Sequence, residues 1–267
     1  MQLKSKKTST LLMVFAMILV VLSTGCSKRS KLSFGEYELQ RTINNDSVRF
    51  DLSVSVDFPK QNSKGAVADS IRLFLSRNLF SIDQPGDPDA LLKQYADTVL
   101  ANYCAEMRDF RRVAGFTDPF KEEIVGTANE LSVDLLTYDK AMYIYYGGAQ
   151  GQRRFESFVF SLVDGKRLLE EDVFLGEQME ALSALLTAAL KEQMQGEIEQ
   201  EVVPNNNFTI IPEGILYRYD GYELNTFDIP AVESLDLLVP TDKVLPLLRQ
   251  ETPVYKYLST SVVEAEK

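Results

Sequence analysis

Ser47 to Phe58 is the stretch that most limits the folds open to this chain. Apolar residues fall at every second position: Val48, Phe50, Leu52, Val54, Val56 and Phe58. Successive side chains of a strand point to opposite faces, so this spacing predicts a strand with one apolar face. Phe34 to Ile43 also alternates, and Asn44-Asn45-Asp46 supplies turn residues between the two, which reads as a hairpin. Such a hairpin is marginal by itself and needs a covering layer. The next segments supply one. Ala66 to Phe80 spaces Val67, Ile71, Phe74 and Leu75 along one helix face. Asp87-Pro88 caps a longer helix, with Pro88 in its first position. Its stripe of Leu92, Tyr95, Val99, Tyr103, Met107 and Phe110 recurs at three and four residues, and Gly115 ends it.

The second part repeats this segregation of strands and helices. Phe120 to Asp139 reads as one or two strands, with a bend at Asn129-Glu130, and Ala141 to Tyr146 as another. In Phe155 to Val163 the run Phe158-Val159-Phe160 predicts a strand covered on both faces. A helix from about Glu177 to Gln195 carries Met179, Leu182, Leu185, Leu186 and Ala189 on its apolar face, and Gly196 closes it. Phe208 to Ile211 and Ile215 to Tyr219 flank Pro212-Glu213-Gly214 as a hairpin. Val232 to Val239 is a further strand, and Thr241-Asp242 starts a short helix ending near Leu248. The expected class is α+β, a mainly antiparallel sheet with helices packed on it. It is arranged as two α+β halves, 34–140 and 141–258, with 259–267 as a loose tail. A hydrophobic content of 45% is enough to fill such a core.

The N-terminus gives a cellular address. Lys4, Lys6 and Lys7 precede an unbroken apolar run, Leu11 to Leu22. That run is too short to span a bilayer, which needs roughly 20 residues. Ser23-Thr24-Gly25-Cys26 follows and resembles a bacterial lipobox, with Ser23 where leucine is usual. The reading is a signal peptide over 1–25, lipidation at Cys26, and a tether over 26–33. The expected partner is therefore a membrane, reached through the lipid on Cys26. The tether lacks an acidic run of the kind that resembles a surface-export tag, so the expected place is the outer membrane, facing the periplasm. Asp46-Ser47-Val48 resembles a periplasmic O-glycosylation acceptor.

Composition closes several kinds of chemistry. Removing residues 1–25 takes Lys4, Lys6 and Lys7 away and moves the formal charge from −11 to −14. Nucleic-acid binding rests on basic patches, so no nucleic-acid partner is expected. There is no histidine, which excludes Ser-His-Asp and Cys-His catalysis and any zinc site needing imidazole. With Cys26 acylated, Cys104 has no internal disulfide partner and reads as a buried small hydrophobe on its helix. The cluster Arg108, Arg111 and Arg112 reads as a solvated face near a helix C-terminus. No cofactor and no metal site is expected. Carboxylate chemistry stays open, with Glu170, Glu171 and Asp172 as the nearest candidates.

Tyr145-Tyr146-Gly147-Gly148-Ala149-Gln150-Gly151-Gln152 is the most unusual connection. Its glycines allow positive φ or a close approach, either for a tight strand connection or for a recognition loop. In order after it come Phe158-Val159-Phe160, Asp164-Gly165-Lys166, Glu171-Asp172-Val173-Phe174, Phe208 to Tyr219, and Tyr222-Glu223-Leu224. That succession resembles the extracellular domain family of the lysozyme-sensing anti-sigma-V factor. Members of that family also accompany a peptidoglycan deacetylase domain and occur as lipoproteins. The resemblance covers about Ala141 to Leu248, and implies an α+β envelope domain that binds and does no chemistry. Gln150 stands where the family commonly has histidine, and Gly221 where it often has proline. The implied partner is a lysozyme-like protein or a glycan such as peptidoglycan. Candidate ligand-binding residues are Tyr145, Tyr146, Gly147, Gly148, Gln150, Tyr217, Tyr219 and Tyr222. The alternatives are a structural lipoprotein with no dedicated ligand, and a carboxylate-dependent peptidoglycan hydrolase.

Overall fold

The alternating segments form a mixed sheet whose helix-facing side is dry. A computed structural model describes residues 32–44, 49–63, 65–114, 119–147, 150–194, 200–220, 223–224 and 234–265, with side chains except at 103, 106–114 and 262–265. Cys26, the Asp46-Ser47-Val48 motif, Gly148, Gly196 and Tyr222 lie outside the described residues, as do the side chains of Arg108, Arg111 and Arg112.

Strands β1 (Phe34–Asn44) and β2 (Arg49–Pro59) pair antiparallel, as the hairpin reading expects. Helices α1 (Ala66–Phe80) and α2 (Pro88–Ala114) follow, and the Asp87 carboxylate accepts the Ala90 N–H at 3.1 Å. The chain then returns to the sheet as β3 (Phe120–Ser132), which runs parallel to β2. Strand β4 (Leu135–Tyr145) and strand β5 (Gln152–Ser161) continue antiparallel, and β6 (Arg167–Leu168) closes the order β1-β2-β3-β4-β5-β6. The turn between β3 and β4 is at Val133-Asp134, not at Asn129-Glu130. A register irregularity between Glu130 and Ser132 is what the strand pairing has near the expected bend. Val133, expected in a strand, sits in that turn and is exposed.

Two cores flank this sheet. Phe50, Leu52, Val54, Val56 and Phe58 pack with Ile71, Leu75 and Leu92 of the two helices. The other core holds α3 (Glu170–Val173), α4 (Met179–Gln193), and a second sheet of β7 (Phe208–Ile211), β8 (Gly214–Asp220) and β9 (Ser234–Pro240). It also holds α6 (Pro253–Ala265), which follows the short α5 (Thr241–Val244). The Phe158-Val159-Phe160 run explains how one sheet serves both. Phe158 and Phe160 enter the first core and Val159 enters the second, because alternate residues face opposite ways. Leu136 and Leu135 on β4 divide in the same manner.

This corrects two expected boundaries. Residue 140 lies inside β4, so the six-stranded sheet runs through the expected division between 34–140 and 141–258. The tail over 259–267 is helical as far as Ala265, since α6 buries Val254 and Leu258 and keeps its turns going. The α+β class with mainly antiparallel pairing stands, with β2–β3 as a parallel pair.

Two buried charges tie helices to the sheet. Lys140 of β4 donates to the Asn78 carbonyl at 2.9 Å and to Glu156 at 2.7 Å, near the C-terminus of α1 where a cation is favoured. Glu122 of β3 is 2% exposed and accepts the Tyr95 hydroxyl from α2. Burial pushes the Glu122 carboxyl above the usual carboxylate range, and the Tyr95 bond offsets part of that. A raised acid favours the folded state while protonated, so its contribution is full below the unfolded value, about 4.3, and is lost as pH rises through the folded one. The stability of Glu122→Gln relative to wild type should therefore climb between about pH 4 and pH 7. Thermal melts across that range check it; a flat or falling difference would show that Glu122 is solvated.

Candidate functional site

The glycine-rich stretch is the tip of the β4–β5 hairpin. Ile144 pairs with Gln152, and Tyr145 pairs across to Lys121 of β3, which leaves 146–151 as the connection. Gly147 takes φ 88°, a left-handed conformation that a β-carbon opposes. Gly151 is needed for a different reason. A Cβ there would lie 2.3 Å from the Tyr143 ring, so the returning limb passes close against the outer end of that ring. Arg153 covers Tyr143 as well, with its guanidinium 5.6 Å from the ring centroid. Gln150 is exposed at the tip.

The two tyrosines before the glycines part company. Tyr146 packs against the helix-side core, with its ring edge-on to Phe120 at 6.1 Å. Tyr145 has the opposite strand parity and belongs to the sheet face turned away from α1 and α2. On this outer face Val125, Ala141 and Phe155 stand in one row across three strands. Val125 is 49% exposed, although β3 lies within the sheet and not at its edge. Arg218 of β8 reaches over Phe155, 5.5 Å from its ring centroid, while bonding both carboxylate oxygens of Asp236 at 2.8 and 3.2 Å. The second sheet thus covers the outer face only from Phe155 onward.

Tyr217 and Tyr219 are not ligand contacts. They are 0% and 2% exposed and stack on each other in the second core, centroids 6.3 Å apart. Tyr219 donates to the Val203 carbonyl at 3.0 Å. The Tyr217 hydroxyl lies beside the Glu170 carboxylate without a hydrogen bond of good geometry, and burial raises both groups. Strand alternation places both tyrosines on the face of β8 that packs inward.

The acidic segment is also part of the scaffold. Glu170 accepts the Asn206 N–H at 2.6 Å, and the Asn206 side chain accepts the Glu170 N–H at 2.9 Å. Asn206 holds φ 57° to make this reciprocal clamp. Asp172 pairs with Lys166 at 2.5 Å and accepts the Leu169 N–H. Asn207 fastens the free edge of β5, accepting from Ser157 N at 2.8 Å and donating to the Phe155 carbonyl at 3.0 Å. Beside it a cleft of about 280 Å³ is lined by Arg154, Glu156, Arg167, Asn206 and Asp220. Among the described residues, no group of three or more acidic or cysteine side chains is arranged to hold a metal ion. None of the described helices is long and apolar enough to cross a membrane.

This arrangement has been seen before. A DUF3298-family protein from Bacteroides fragilis superposes with a TM-score of 0.76 at 17% identity, covering 87% of this chain and 99% of that one. The chain has the DUF3298 fold. A DUF3298-family protein from Pseudomonas aeruginosa gives a TM-score of 0.58 at 12% identity, covering 83% of this chain and 96% of that one. No protein-family model matches the sequence, and no curated protein matches it. The DUF3298 fold is a domain of unknown function, so likeness carries the architecture and the site must carry the rest.

Within the DUF3298 fold, the expected residues gather only in part. Gly147 and Gln150 lie at the hairpin tip and Tyr145 beside it, Tyr146 is packed inward, and Tyr217 and Tyr219 are core. Sequence reading did not single out Val125, Tyr143 or Phe155, and it had Gly151 in the glycine-rich stretch without its partner. Strand parity could have placed Tyr143 with Tyr145. Which parity faces the helices is set by packing across strands, and a single strand does not show it.

Proposed function

We propose that this chain is a lipid-anchored protein of the cell envelope. It binds a protein or glycan ligand at the β4–β5 tip and the adjoining outer sheet face, and catalyses nothing itself. The observation that carries this reading is Val125, left exposed in mid-sheet beside the half-buried Ala141 and next to a tip shaped by Gly147 and Gly151. Loops held on a rigid scaffold carry binding residues disproportionately, and an apolar group open beside one adds to the contact it can make. The absence of histidine and the scaffold bonds of Glu170 and Asp172 favour binding over hydrolysis. The leader and Cys26 supply the anchor.

Pull-down with lysozyme and with soluble muropeptides, using wild type and Gln150→Ala, tests the reading. Gln150→Ala should weaken whichever ligand binds by about 1 kcal/mol, roughly fivefold in Kd, with Tm nearly unchanged. If the substitution lowers Tm and leaves binding intact, the tip is scaffold. In the same cells Cys26→Ser should abolish incorporation of labelled palmitate; normal processing and unchanged membrane fractionation would remove the anchor.

A further inference from the structure

We infer that β1 is the edge at which a second copy of this chain adds, so that two six-stranded sheets join antiparallel across a two-fold axis at Leu39. The inference goes beyond the ligand reading and stands on a different part of the molecule.

The two edges of the sheet are treated differently. On the far edge β6 pairs with Val159 and Phe160, and the Asn207 side chain takes the Ser157 N–H and the Phe155 carbonyl. Among the described residues nothing does this for β1, which pairs with β2 alone. The Ser33 carbonyl accepts the Lys60 N–H at 2.8 Å, which makes 33 and 60 a hydrogen-bonded pair. Alternation then turns the backbone groups of the odd residues of β1 toward β2, and those of the even residues, Phe34 to Asn44, away from the sheet. Native edges are blunted by proline, lysine, a bulge or shortness. β1 is 11 residues long, has neither proline nor lysine, and meets β2 without a bulge. An open ladder of that length is a template for another strand.

The sequence of β1 complements itself. Pairing about Leu39 overlaps the whole of Phe34–Asn44 and gives every outward N–H and carbonyl a partner. Glu38 then faces Gln40 of the second copy, Glu36 faces Thr42, and Tyr37 faces Arg41. No like charges stand opposite one another, and the two Glu38 carboxylates meet only on the diagonal, where both are exposed. An axis at residue 38 would set Glu38 against Glu38 and shorten the overlap. Tyr37, Leu39 and Ile43 pack against the helix-side core, so the join also extends that core. The helices fit the same axis. Tyr37 lies within electrostatic reach of Asp89 and Asp87 at the start of α2, and Arg41 within reach of Asp97 about two turns on, so α2 runs along β1. It packs over β1 and β2 alike. With strands about 4.8 Å apart, the two copies of α2 come side by side at roughly 10 Å, the distance at which helices pack.

The experiment follows the chain from residue 27 onward, which contains every described residue, by analytical ultracentrifugation. The expected result is a reversible dimer that tightens as salt is raised, because both copies are strongly acidic and repel at long range. Gln40→Lys, facing Glu38 of the second copy, should tighten it about fivefold, and Gln40→Glu should weaken it about fivefold. Gln40→Pro removes an outward N–H at an edge position where proline is tolerated, and should leave a monomer. Leu39→Cys meets itself across the axis with Cα atoms about 4.5 Å apart, and should form a disulfide dimer on oxidation. Thr42→Cys, facing Glu36, should not, and Cys104 is buried. Melting curves check that the variants are folded; if Gln40→Pro unfolds, the other variants carry the test, since they leave the backbone free to pair. A wild type that stays monomeric at millimolar concentration, with no Leu39→Cys cross-link, overturns the inference. So does a dimer indifferent to every Gln40 substitution. A dimer weakened by both Gln40→Lys and Gln40→Glu overturns the axis at Leu39. None of these outcomes bears on the ligand reading.

Discussion

Arg72→Met should lower the unfolding free energy by about 3–5 kcal/mol, the cost of leaving the partners of a buried charge unpaired. Arg72 is 8% exposed on α1. Its guanidinium donates to three backbone carbonyls where the chain leaves β2: Pro59 at 3.4 Å, Lys60, and Ser63 at 2.6 Å. It also meets Asp69 at 2.9 Å, but that carboxylate is largely in water. The stabilisation therefore comes from the carbonyls, each of which loses a donor in the variant, those of Pro59 and Ser63 in buried surroundings. The effect also spreads to β1, because the Ser63 hydroxyl accepts the Ser33 N–H at 3.0 Å and fixes where that strand begins. Asp69→Asn separates the two contributions: removing an exposed ion pair should cost below about 1 kcal/mol. Denaturant titrations of both variants decide it. A loss under about 1 kcal/mol for Arg72→Met would mean that water replaces the guanidinium at those carbonyls.

Leu182→Ala should cost about 2–5 kcal/mol, and Leu185→Ala clearly less. Leu182 is fully buried on α4, packed in the core that also holds Val173, Phe174 and Leu237. Removing three side-chain carbons there loses their transfer free energy and leaves a cavity that the β7–β8–β9 sheet cannot close by itself. Leu185, expected as its equal, is half-buried and packs at the margin of that core, so water can fill the space it leaves. Leu190 takes the place that the sequence stripe assigned to Leu185. Equal losses for Leu182→Ala and Leu185→Ala would show that α4 is rotated from the orientation described.

The hairpin tip illustrates how far the sequence reached. Three glycines among tyrosines marked the place, and Gly147 has the positive φ that such a run offers. Close approach, the other reason that glycines offer, applies at Gly151, and its partner Tyr143 lies on the opposite limb of the hairpin. No local pattern encodes it. Tyr217 and Tyr219 show the opposite failure. Tyrosine at the end of a short strand looked like a surface aromatic, whereas the stacked β7–β8–β9 sheet buries both rings and supplies the Val203 carbonyl to Tyr219.

What the sequence determined alone is what depends on neighbours along the chain. The period of two fixed β1 and β2, the helical period fixed Ala66–Phe80, and Asp87-Pro88 fixed where α2 begins, because strand pleat, helix pitch and capping act within a few residues. The tertiary structure decided the rest. It set the parallel join of β2 to β3 across two helices, and it carried the sheet through residue 140. It ordered 259–265 as helix by burying Val254 and Leu258. It also chose which face of β3, β4 and β5 stays open, because that depends on which parity the helices and the second sheet cover, a choice made by packing between segments far apart in the chain.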